Sequence, residues 1–205
     1  WALSKQSSFS LSMTNHGSLL PDAVDHNVIA ELKGSEFPNE YITIGGHLDS
    51  WDVNEGAHDD GAGVVHTIEV MRALRAIGYQ PKHTLRFVLF ANEENGLRGG
   101  SKYAEVAKEK GEKHLFALES DAGGFTPRGF SIQANKEQMA KLQSWLPLLT
   151  QYGTSEITPD GGGADIGPLN RTFGTPVGEL FPDPQRYFDL HHARSDVFEN
   201  VHKRE

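Results

Sequence analysis

The sequence predicts an α/β fold: a single three-layer domain with a central mixed β-sheet flanked by helices. Three observations predict it. Short apolar runs alternate with longer segments of helical periodicity along most of the chain. One run, "HTLRFVLFAN" (His83 to Asn92), has almost no polar interruption in its second half, the pattern of a strand covered on both faces. Histidines and carboxylates follow the ends of several strands, where open α/β sheets gather their ligands.

The elements follow in order. "SFSLSM" (Ser8 to Met13) and "NVIAELKG" (Asn27 to Gly34) read as strands, and the turn-prone "NHGSLLPD" between them suggests an antiparallel pair. "YITIGG" (Tyr41 to Gly46) is a short buried strand. From Gly61 to Ile77, apolar residues recur at Val64, Val65, Ile68, Met71, Leu74 and Ile77, a helical spacing whose stripe is read as core. The strand His83 to Asn92 leads to a helix in "LRGGSKYAEVAKEKG", closed by Gly111. "HLFALES" (His114 to Ser120) and "GFSIQAN" are strands, and a helix is expected from about Lys136 to Thr150. "GADIGPLNRTF" is expected to be a short helix broken near Pro168. "PVGELF" (Pro176 to Phe181) is the last strand, and "FPDPQRY" is a rigid turn.

The 205 residues are 37% hydrophobic and 23% charged, the balance of a globular chain. No run of about 18 apolar residues exists, so insertion into a membrane is not expected. A net charge of −9 argues against nucleic acid as a partner. It fits either ordinary solubility or carboxylates that serve as metal ligands. Cysteine is absent, which excludes disulfides and thiolate metal sites. Trp1 opens the numbering and no signal-peptide pattern follows. Residues 1–205 are therefore read as one domain, expected to be the C-terminal part of a longer chain; a secreted or periplasmic location is a separate expectation.

The stretch "GGHLDSWDVNEGAHDDGAG" crowds acids directly after an apolar strand, so something must neutralise them. His47 and Asp49 follow "YITIGG". Glu93 and Glu94 follow "TLRFVLFAN". Asp121 follows "HLFALE", Asp59 and Asp60 precede the Gly61 helix, and His191 and His192 come after "PVGELF" across a loop. Imidazole and carboxylate without sulfur suit zinc or a similar divalent metal. One tetrahedral ion needs three or four such ligands. At least five candidates fit two ions that share a bridging carboxylate. Adjacent side chains at a strand end point apart, so only one of Glu93 and Glu94 readily faces a metal. The residues alone leave open which one.

"GGHLDSWD", "GAHDDGAG", "FANEENGLRGG", "LESDAGGF" and "LHHARSDVFE" resemble, in order and spacing, the motifs of the co-catalytic zinc aminopeptidases. The likeness runs from about Asn27 to the C-terminus. It implies the zinc-exopeptidase (phosphorylase/hydrolase-like) fold and two Zn2+ per chain. His47 and Asp121 would bind one ion, Glu94 and His192 the other, and Asp59 would bridge them. Glu93 would be the general base. Asp49 would hydrogen-bond the His47 imidazole, and Asp196 would support His192. The family holds the peptide between Asp59 and Asp60 in the cis form.

Other residues carry plainer readings. Asp60 can be the N-cap of the following helix. His66 reads as a surface or packing residue. His191 is an alternative to His192, and His58 touches substrate or nothing. The glycine-rich "DGGGADIGPL" is a flexible turn, or it brings Asp165 to a substrate terminus or to hold the loop. Arg186 and Arg194 are candidates for a substrate carboxylate, with surface arginine the simpler reading. The implied function is a metal-dependent exopeptidase acting on dipeptides or short peptides. The alternatives are a single-zinc enzyme like glutaminyl cyclase and a non-catalytic peptidase-like binding domain. Peptide is the expected partner, and a homodimer stays open.

Overall fold

The computed structural model describes residues 8, 10–159 and 161–205. Its strands are β1 (Val28–Leu32), β2 (Phe37–His47), β3 (His83–Phe90), β4 (Lys113–Glu119), β5 (Pro127–Gln133), β6 (Glu156–Pro159) and β7 (Val177–Pro182). They form one mixed sheet in the order β1-β3-β2-β4-β7-β5-β6. β3, β2, β4 and β7 run parallel. β1 lies antiparallel to β3, and β5 antiparallel to β7. The helices are α1 (Gly61–Ala76), α2 (Arg98–Glu109), α3 (Lys136–Gln143), α4 (Leu146–Leu149), α5 (Gly167–Phe173) and α6 (Tyr187–Leu190).

Alternation along β2 assigns the layers. Thr43 Oγ1 lies 3.3 Å from the Tyr103 hydroxyl on α2. Gly46, of opposite parity, faces α1: a Cβ there would press on Asp60 and Gly63. So α1 covers one face, and α2 with α5 covers the other. The core lies on the α2/α5 face, where Val88, Phe90, Ala117 and Val177 from the sheet meet Tyr103, Ala104, Ile166 and Leu169.

Several expectations are corrected. No strand forms among the described residues of Ser8–Met13, and Phe9 lies outside them. β1 instead pairs with β3 along the edge of the sheet. With that edge taken, Leu11 and Met13 have no partner and stay exposed. The α1 stripe is not core: Val65 is 61% exposed and Ile77 76%. α1 packs through Ala62, Gly63 and Thr67, small enough to bring its backbone against the loop at Ser120. The helix expected from Lys136 to Thr150 breaks after Gln143, because the Pro147 ring excludes a continuous helical turn before it. Pro168 does not break α5 but occupies its first turn, where the missing N–H costs nothing. β6 and α6, at four residues each, are too short to show periodicity.

Candidate metal centre

The parallel strands end together, and the expected ligands lie beyond those ends. His47 is the last residue of β2, and Asp121 sits two residues past β4. Glu93 and Glu94 lie in the turn after β3. Asp59 immediately precedes the α1 cap, and His192 follows α6. Asn92, Leu97 and His192 are the non-glycine residues with positive φ among those described, and all three flank or form this site. The Asp59–Asp60 peptide is cis.

Asp59 stands between two groups. Its Oδ1 is 3.2 Å from His47 Nε2, which is also 3.2 Å from Asp121 Oδ1. Its Oδ2 is 3.2 Å from His192 Nε2, which is 3.1 Å from Glu94 Oε2. All five expected ligands are thus brought together, with Asp59 between the two groups. His191 Nε2 also comes within 3.5 Å of Asp59 Oδ2, and its ring stacks on that of His192 at 3.6 Å. Unlike His192, it has no Glu94 contact.

These residues fit a divalent cation. Asp59 Oδ2 and Glu94 Oε1 are buried and accept no hydrogen bond, which is costly for carboxylates unless a cation lies beside them. The cluster recruits positive charge. Burial alone would lower the His47 pKa, but Asp121, Asp49 and Asp59 outweigh it and hold the value far above the usual imidazole range. The donors are nitrogen and oxygen with no sulfur, a set that suits zinc.

Glu93 lies in the same acidic pocket. Burial, then the charges of Asp121, Glu94 and Asp59, push its pKa up to about 7 against the opposing pull of His47. That value suits proton transfer near neutrality. Burial and Asp59 also raise the Glu94 pKa.

The supporting residues act differently from expectation. Asp49 does orient His47, but through its backbone: its carbonyl oxygen is 2.9 Å from His47 Nδ1, while its carboxylate is 3.6 Å away. The carboxylate instead accepts the N–H groups of Glu93 (2.9 Å) and Glu94 (3.1 Å), fixing the turn that carries both. Asp196 has no hydrogen bond to His192. It accepts the N–H groups of His58 (2.7 Å) and Asp59 (3.0 Å) and so secures the backbone that carries Asp59. Asp60 is the α1 N-cap, bonding Gly63 N–H and also His47 N–H, both at 2.9 Å. Asp165 is fully buried, so no substrate terminus reaches it. Both its carboxylate oxygens lack partners, and burial pushes its pKa up to about 7. Asp160, in the same glycine-rich stretch, lies outside the described residues.

His58 is a structural residue. It is fully buried and stacked on Phe125 at 4.5 Å, and its Nδ1 accepts Gly124 N–H, which leaves the proton on Nε2. His66 bonds Ser120 Oγ through Nδ1 at 2.9 Å. Arg186 pairs with Glu205 and lies over the Phe125 ring, so its charge is already matched. Two aromatic residues escaped the sequence reading. Trp51 packs against the His192 ring at 5.2 Å, and the Tyr187 hydroxyl donates to the Asp121 carbonyl at 3.3 Å. The only signal was position: Trp51 lies in the "HLDSWD" stretch and Tyr187 five residues before His192.

Residues 27–205 match the family model described as peptidase family M28. Carboxypeptidase Q from Bos taurus is 35% identical over 177 residues, covering 86% of this chain and 37% of that protein. Carboxypeptidase Q from Xenopus laevis is 36% identical, covering 86% and 38%. The solved structure of a peptidase M28 precursor from Shewanella amazonensis SB2B superposes with a TM-score of 0.79 at 35% identity, covering 86% of this chain and 40% of that one. The chain therefore spans little more than a third of the length of these curated relatives. With the match reaching from Asn27 to the last residue, the chain belongs to peptidase family M28.

Proposed function

We propose that the protein is a zinc-dependent exopeptidase that hydrolyses dipeptides or short peptides using two zinc ions and a glutamate base. The observation that carries this reading is Asp59, whose two carboxylate oxygens face two separate histidine–carboxylate groups. His47, Asp121 and Asp59 would hold one ion; Asp59, Glu94 and His192 the other. Such a pair would supply Lewis acidity at the scissile carbonyl and would lower the pKa of a bound water.

The chain's own residues do the remaining work. The Glu93 carboxylate accepts a proton from the attacking water and returns it to the leaving amine nitrogen. Asp49 keeps Glu93 and Glu94 in their different roles by binding both their N–H groups. Its carbonyl accepts the His47 Nδ1 proton, which leaves Nε2 as the free donor atom. Asp196 holds the backbone on which Asp59 rides. Relatives named carboxypeptidase Q support peptide as the substrate class. A secreted or periplasmic location belongs to the same proposal.

The test is zinc analysis of the purified protein together with hydrolysis of a dipeptide panel with free and blocked termini. Two zinc ions per chain and chelator-sensitive hydrolysis are expected. One zinc without hydrolysis would favour a cyclase-like enzyme, and no zinc a binding domain.

A further inference from the structure

Beside Asp121 the structure has a cavity of about 240 Å³, room for one side chain. Its walls are apolar: Ala122, Leu180, Phe181, Pro184 and the Tyr187 ring. The exception is Glu179. This residue lies on β7 opposite Glu119, so it sits at the end of the sheet where the metal ligands gather. Its side chain is half-buried. Among the described residues its carboxylate accepts no hydrogen bond and forms no ion pair. The other acids nearby are engaged. Asp183 pairs with Arg128, Asp121 with His47, and Glu119 accepts the N–H of Ile166.

Two features locate this cavity relative to the chemistry. Ala122 directly follows Asp121 in the chain, and Tyr187 ties the opposite wall to the Asp121 carbonyl at 3.3 Å. A side chain entering here therefore belongs to a residue next to the scissile bond, if the exopeptidase reading holds. An apolar wall fits a hydrocarbon stem. A half-buried carboxylate without a partner in that wall fits a cationic tip, because the ion pair removes the cost of leaving a charge poorly solvated. A purely apolar side chain would fill the walls but leave Glu179 uncompensated, and an acidic one would be repelled.

We propose that Glu179 is a specificity-determining residue, making this cavity a subsite for a basic side chain, lysine or arginine, adjacent to the bond that is cut. This rests on the exopeptidase reading for its position next to the scissile bond, but the binding preference can be measured without turnover. L-lysine and L-norleucine share the same four-carbon stem and differ by the terminal ammonium. Their affinities for the zinc-loaded protein, measured by calorimetry, should differ at least tenfold in favour of lysine.

In Glu179→Gln the ratio should fall close to one, and Glu179→Asp should restore part of it. Equal or tighter binding of norleucine by the unaltered protein overturns the proposal without any variant. So does a lysine preference that survives in Glu179→Gln when its melting curve shows that it folds. Hydrolysis of Lys-Gly, Gly-Lys and their norleucine counterparts, run in parallel, separates the two readings. Lysine-selective binding with no hydrolysis of any dipeptide supports the subsite and sinks the exopeptidase. Hydrolysis with no preference for lysine on either side of the bond keeps the exopeptidase and sinks the subsite.

Discussion

Glu93 and Glu94 are neighbours with different surroundings. Glu94 Oε2 lies 3.1 Å from His192, within the group that includes Asp59. Glu93 stands in the same acidic pocket and makes no such contact with a histidine, and its pKa is pushed up to about 7. Glu93→Gln is therefore expected to keep its zinc and its fold while turnover falls about 100-fold or more. Glu94→Gln is expected to lose one zinc, with activity falling as a consequence. Metal analysis and turnover on both variants check the assignment, which is reversed if the Glu93 variant loses metal and the Glu94 variant keeps both. Gly163 makes a different demand. A Cβ there would run into the Glu119 side chain, whose carboxylate holds the start of α5 by accepting Ile166 N–H at 3.1 Å. Gly163→Ala should destabilise the protein by about 1–3 kcal/mol, the usual scale of overpacking, read from urea unfolding.

At the scale of elements, β3 is the organiser, since it pairs with both β1 and β2 and delivers the two glutamates. Arg86 ties it to its surroundings. Its Nε is 2.8 Å from Glu31 on β1, its Nη1 is 2.6 Å from Glu112, and its guanidinium lies 3.8 Å over the Tyr41 ring. Arg86→Leu removes the guanidinium from Glu112, leaving it only His114 Nε2 at 3.2 Å, and should cost about 3–5 kcal/mol, the scale for breaking a buried pair. The double variant Arg86→Leu/Glu112→Leu should recover part of that loss; an equal or larger loss in thermal unfolding would show that packing rather than charge is responsible. Asn27 acts at the C-terminal end of β3. Its amide donates to Gly99 O and accepts from Ala91 N, both at 2.9 Å, clamping the turn between β3 and α2.

At the scale of the whole molecule, the site concentrates negative charge in a chain that already carries a net −9. Burial first, and then neighbouring carboxylates, push the pKa values of Glu93, Asp165 and Glu179 up to about 7. In the metal-free protein each keeps its proton where the unfolded chain, with ordinary values of 4.5 or 3.8, has lost it. The folded state then holds more protons, so stability falls as pH rises from about 4.5 to about 7. His47, with its raised pKa, adds a further loss above pH 6.5. His66, His114 and His191 oppose this because burial lowers their pKa values, but their shifts are smaller.

The metal-free protein should therefore melt higher at pH 5 than at pH 7.5. Zinc should reverse the order, because its ligands must be neutral imidazole and ionised carboxylate. At a hundredfold excess over its dissociation constant, zinc adds about 2.7 kcal/mol. Melting curves at both pH values, with zinc and with chelator, test this; an unchanged melting temperature after verified metal removal would count against the metal centre.

The sequence by itself determined the strand-and-helix alternation and the residues of the candidate site. Strand ends, glycine turns and donor chemistry are local, so the candidate histidines and carboxylates stood out before any contact was known, and the resemblance to the zinc aminopeptidases singled out His47, Asp59, Glu93, Glu94, Asp121 and His192 among them. The tertiary structure decided what depends on distant partners. The Ser8–Met13 pattern suited a strand, but an edge strand needs a free neighbour, and β1 holds that edge. The α1 periodicity suited a buried stripe, but Gly63 draws the helix in by its small face and turns Val65 outward. Asp49 and Asp196 were recognised as supports for the histidines. Their carboxylates nevertheless went to backbone N–H groups 44 and 137 residues away, at Glu93 and Asp59. A side chain's chemistry can be read from its type and its sequence neighbours. The partner it satisfies is fixed only when the loops converge, because a buried carboxylate must take whatever donors the fold brings within reach.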